Sequence, residues 1–152
     1  MDLWDWTLEA YAQPGVPEAC LSLQDDHRQN TPFLLWAVWA ETADAALLAK
    51  AADLARRWDA LAVTPIRAVR RALKPPVAGV ADHDREGLRD DVKSLELRAE
   101  RVLMETLEAL GRGPGGTPAL TALEAASKAW GQVSGGLAAP DNALAALAAA
   151  LG

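Results

Sequence analysis

Six bases, Arg56, Arg57, Arg67, Arg70, Arg71 and Lys74, crowd residues 56–74 against one acid, Asp59, in a chain of net charge −6. At ~100° per residue, Arg67, Arg70, Arg71 and Lys74 form a stripe centred about 120° from the apolar side Ile66, Val69 and Leu73. Such a stripe borders the buried face instead of opposing it, and Arg70 falls nearest the edge. Guanidinium forks in that position grip phosphate or carboxylate, and a partly buried arginine needs such a partner. On the next helix, Lys93, Glu96 and Glu100 share a stripe with Arg89 beside the apolar seam. Two chemistries fit. Either Glu96 and Glu100 neutralise the arginines in a structural network, with Arg70 in salt-bridge reach of one of them, or Arg67, Arg70, Arg71, Lys74 and Lys93 line a pocket for an anionic small molecule.

Other chemistries find less to work with. Asp25, Asp26 and His27 are metal-binding types, but the only other histidine is His83 and neither belongs to a spaced pair. Cys20 and His27 are about two turns or ~10 Å apart on one helix, too far for one to activate the other. Glu96, Glu100, Glu105 and Glu108 lack the Glu-x-x-His pairs of a carboxylate-bridged metal bundle. No phosphate loop, dinucleotide fingerprint, nucleophile elbow or CxxC is present. No catalytic residue, metal or cofactor is therefore expected.

The elements that position these residues are helical. The chain has 152 residues, is 51% hydrophobic with alanine prominent, and is poor in β-branched and aromatic types apart from six tryptophans. Thr31–Ala40 is uncharged, and a helix apolar on every side must be surrounded by others. The spacing predicts a single all-α bundle of six to eight helices around this central helix, about residues 32–40. Leu35, Trp36 and Trp39 are expected to be buried. Before it, a helix over 2–12 carries Trp4, Leu8 and Tyr11 on one stripe, and a second carries Val16, Cys20, Leu23 and His27. Thr31 is the expected cap of the central helix.

After it, a helix over 43–62 has a seam at Leu47, Ala51, Leu54, Trp58 and Leu61. Thr64 and Pro65 read as the start of a separate helix, closed by Pro75–Pro76. A long helix over 84–110 carries Leu88, Val92, Leu95, Ala99, Val102, Thr106 and Leu110 on one seam. Residues 1–111 are read as the core domain. Residues 112–152, Gly/Ala-rich and from residue 117 onward charged only at Glu124, Lys128 and Asp141, form a less firmly held tail of two weaker helices. The tail is expected to cover Leu97 and Met104, within the chain or across a homodimer, through a Gly111–Gly116 linker that fixes no direction.

The blocks LWDWTLEAYAQPGVPEACLSLQDDHRQN, RRWDALAVTPIRAVRRALK and LRDDVKSLELRAERVLMETL together resemble the domain-of-unknown-function 2390 family of short bacterial helical proteins. The likeness spans about Leu3–Leu110 and implies no catalytic residue. The family pattern carries Gly after the His of the LQD block where this chain has Arg28. Asn30 is therefore expected to take the left-handed turn.

The expected function is a non-enzymatic cytoplasmic interaction or regulatory protein, with an unknown protein partner or self-association. The alternative is a small-molecule module binding a phosphate or carboxylate ligand at the basic helix. A net-negative chain argues against nucleic acid. The longest uncharged run is too short to span a bilayer. A single cysteine fits a reducing compartment, and no secretory signal is expected.

Overall fold

Thr31–Trp39 has no charged residue, so this helix has no side to give to water, and helices close over nearly all of it. Phe33, Leu34, Leu35, Trp36, Ala37 and Trp39 are buried, with Phe33 and Trp36 stacked at 6.0 Å between ring centroids. The computed structural model describes residues 1–152 and contains no strand. In chain order the helices are α1 (Leu3–Tyr11), α2 (Val16–Asp25), α3 (Thr31–Trp39), α4 (Ala45–Trp58), α5 (Thr64–Ala72), α6 (Asp82–Glu108), α7 (Ala119–Ser134) and α8 (Asp141–Leu151). A π-helical turn, Asp59–Val63, joins α4 to α5 without a break, so the eight helices make seven separate rods. α6 packs on α1, α3, α4 and α5, α7 on α3 and α4, and α8 on α2 and α7.

Several local expectations change. Asn30, not Thr31, caps α3 by accepting from Phe33 N–H at 3.0 Å, and it does so with extended backbone. The left-handed residue is Arg28 itself, at φ 53°. Its carbonyl accepts from Trp130 Nε1 at 2.9 Å, and the neighbouring Gln29 accepts from Ser127 at 2.9 Å. α7 thus holds a turn that glycine would otherwise make easily.

Thr64 does not cap a new helix. Pro65 lacks an N–H and its ring would crowd the carbonyl four residues back, and the backbone widens ahead of it. Thr64 N–H reaches the Asp59 carbonyl five residues away, and its hydroxyl donates to Asp59 Oδ2 at 3.0 Å.

Apart from Ala51 and Ala99, which are buried as expected, the fully buried stripes are rotated off the expected seams. α1 buries Leu3, Thr7 and Ala10, leaving Leu8 exposed. α4 buries Leu48, Ala51, Ala52 and Ala55, and Leu61, beyond it in the π turn, is 75% exposed. α6 buries Arg85, Glu96, Ala99, Leu103, Met104 and Leu107, leaving Leu88, Leu95 and Val102 in water. α5 buries nothing fully, and Val69 faces solvent while Arg67 and Arg70 turn inward. In α1 and α4 the cause is the same: small Ala and Thr side chains let backbones approach, and the larger residues flank the contact.

The C-terminal helices pack within the chain, on α2, α3 and α4, and do not cover Leu97. Leu123, Trp130, Leu144 and Leu147 belong to the same hydrophobic cluster as Phe33 and Trp36. The glycine linker is directional after all. Gly113 N–H donates to the Ala40 carbonyl at 2.7 Å and Gly116 N–H to Glu41 at 2.7 Å. Arg112 lies over the Trp39 ring and donates to the Trp39 carbonyl. The Gly113 and Arg112 donors satisfy carbonyls at the end of α3 that no helix can continue.

Candidate functional site

α5 and α6 run side by side, and the π turn sets which face α5 presents. The consequence is a charge network with Glu96 at its centre. Arg67 Nε donates to Glu96 Oε1 at 2.9 Å and Arg70 Nε to the other carboxylate oxygen. Arg67 Nη2 also reaches Glu100 at 3.3 Å and Gln24 of α2 at 3.5 Å. Arg89 donates back to the Arg70 carbonyl at 3.3 Å. The side chains of Arg67, Arg70 and Glu96 are largely withdrawn from water.

The two carboxyls are driven apart. Burial works to raise Glu96, but hydrogen bonds and charge from Arg70 and Arg67 outweigh it and hold the group below the ordinary carboxylate range. Burial raises Glu100, and the neighbouring Glu96 charge adds to this against the pull of Arg67. Glu100 also lies near the Tyr11 hydroxyl, which sits beside the Cys20 thiol and the Thr31 hydroxyl. Burial pushes the tyrosine well above its usual value and the thiol up to about 11. Both stay protonated and unreactive at neutral pH.

The cavity beside the network is lined by Gln24, Asn30, Thr31, Asp59, Arg67 and Glu100, among others, and measures about 20 Å³. A single water needs ~10–15 Å³. This space suits a water and nothing larger.

Of the residues singled out from sequence, Arg67, Arg70, Glu96 and Glu100 come together. Arg71 points away to Asp25 at 3.7 Å, on an exposed surface. Lys93 stands near Asp90 at 4.0 Å, also exposed. Lys74 is exposed and enters no ion pair. Sequence reasoning missed Gln24, Asn30 and Tyr11 as neighbours of the network. The signal that could have placed them is the polar end of α2 and the excess of six acids, with no Lys or Arg, over residues 1–27. It also missed Arg85, buried with Nε and Nη1 unpartnered, because an arginine near a helix start reads as solvated. No group of three or more potential metal ligands is present.

A second feature lies on the outer side of α6. Leu88, Leu95 and Val102 form an exposed ridge. Beside Val102 a groove of about 220 Å³ is lined by Leu54, Arg57, Trp58 and Leu61.

An all-α bundle built on a central apolar helix, with an internal Arg–Glu network, defines a small helical domain. Residues 2–107 match the family described as protein of unknown function, DUF2390, and the chain belongs to it. The match takes in the charge network and the α6 ridge, while α7 and α8 lie outside it. No curated protein and no solved structure matches the chain.

Proposed function

We propose that this is a non-enzymatic cytoplasmic interaction or regulatory protein whose partner meets the outer face of α6. The observation that carries the reading is the ridge. Leu88, Leu95 and Val102 stay in water along one line of a helix that buries Ala99, Leu103, Met104 and Leu107, and the Leu54–Trp58–Leu61 groove adjoins the end of that line. The cytoplasmic setting rests on the lone Cys20, which leaves no internal disulfide to form. No helix is long and apolar enough to cross a membrane.

The anion-ligand reading gains less support. Arg67 and Arg70 already hold Glu96, and the adjoining cavity is water-sized.

Affinity capture from host extract separates the two when wild type, Leu95→Glu and Arg70→Gln are compared, each checked by circular dichroism. The interaction reading expects Leu95→Glu to lose its protein partner and Arg70→Gln to keep it. A partner indifferent to Leu95→Glu, with a small anion lost in Arg70→Gln, would contradict it.

A further inference from the structure

Leu88, Leu95 and Val102 recur every seven residues, and Val92, Ala99 and Thr106 follow each by four. That is the heptad seam of a coiled coil, of which the chain's own helices cover only Val92 and Ala99. Outside the ridge a second heptad column carries Asp84, Asp91, Arg98 and Glu105. Asp91 and Arg98 take part in none of the ion pairs within the chain.

We propose that α6 pairs antiparallel with α6 of a second copy of this chain, about a twofold axis at Leu95. This deepens the interaction reading and rests on it. In that register Leu95 meets its own copy, Leu88 meets Val102, and Asp91 comes opposite Arg98 twice over. A surface that complements itself in this way is what a twofold interface requires. A parallel pair would leave both charges without opposite partners, because the column on the other flank of the ridge is Arg89, Glu96 and Leu103, which face the chain's own core and α5. The second copy's Leu88 then enters the groove formed by Leu54, Trp58 and Leu61 beside Val102. The outermost pairing, Asp84 with Glu105, is like-charged, and Arg101 already offsets it by holding Glu105 at 2.9 Å.

Sedimentation velocity on the full chain tests the assignment, with circular dichroism to confirm that each variant is folded. Wild type is expected as a dimer of twice the 16.1 kDa chain mass, and Leu95→Glu, a change at an exposed position, as a folded monomer. Asp91→Arg alone and Arg98→Asp alone should each weaken association about tenfold, by setting like charges together. The combined Asp91→Arg/Arg98→Asp chain should recover it. A dimer that survives Leu95→Glu, or a double swap that fails to restore association, overturns this interface. A wild-type monomer that binds another host protein through Leu95 overturns self-pairing and leaves the interaction reading standing, whereas a wild-type monomer with no ridge-dependent partner overturns both.

Discussion

Glu96 receives two guanidinium groups, and its carboxyl is depressed as a result. A depressed acid contributes stability above its unfolded value, about 4.3, and that contribution is lost as pH falls through the folded value. Glu100, raised by burial, works the other way: it favours the fold when protonated and loses that contribution as pH rises through its folded value. Urea unfolding between pH 7 and pH 3 should therefore show Glu96→Gln flattening the acid limb of the stability curve, with Glu100→Gln costing less at pH 7. Equal costs for the two would contradict the asymmetry. Arg70 and Glu96 should couple by more than about 1 kcal/mol in a double-mutant cycle, above the level of exposed pairs. Arg85 makes the opposite case. It is buried with two nitrogens unpartnered, and the acids it does reach, Asp82 and Glu86, stand in water. Arg85→Met should raise stability by ~1 kcal/mol, and a loss of similar size would mean that the guanidinium is better served than its contacts indicate.

Among the elements, the burial of α3 was legible, though its cap was not: ten uncharged residues leave one reading, and Leu35, Trp36 and Trp39 are buried, but Asn30 and not Thr31 caps the helix. Trp36→Ala should cost roughly 3–5 kcal/mol by chemical denaturation. The pairing of α5 with α6 was legible as well, because two stripes of opposite charge sat at matching spacing on consecutive helices. The rotation of the seams was not. In α1 and α4 the largest apolar residues set the expected face, but Thr7, Ala10, Ala51, Ala52 and Ala55 make the close contacts, and the periodicity of small residues is faint against that of leucines. In α6 the heptad line Leu88–Leu95–Val102 was read as the inward seam because nothing in one chain's sequence says which of two adjacent stripes faces its own core. The π turn was hidden because Thr-Pro after a helix reads as a new start. It can be tested by deletion of Ala60. Removing the extra residue turns α5 by ~100°, carries Arg67 and Arg70 away from Glu96, and should abolish their coupling.

At the scale of the whole molecule, one core runs through the chain from Leu3 to Leu147, and the glycine linker is the hinge pin that makes it so. A Cβ on Gly113 would stand 2.8 Å from the Glu41 carbonyl and from Thr42 Cβ. Gly113→Ala should therefore cost about 1–3 kcal/mol, readable as a lowered Tm, and an unchanged Tm would show the linker free to shift. With its ion network closed on itself and its ridge open, the chain presents an apolar line to the outside and only a water-sized cavity beside Arg67. Native mass spectrometry of the chain purified from its own host tests that account most directly. The predicted result is a complex with protein mass added, lost in Leu95→Glu, and with no small-molecule adduct. A monomer carrying a small anion that Arg67→Gln releases would contradict it.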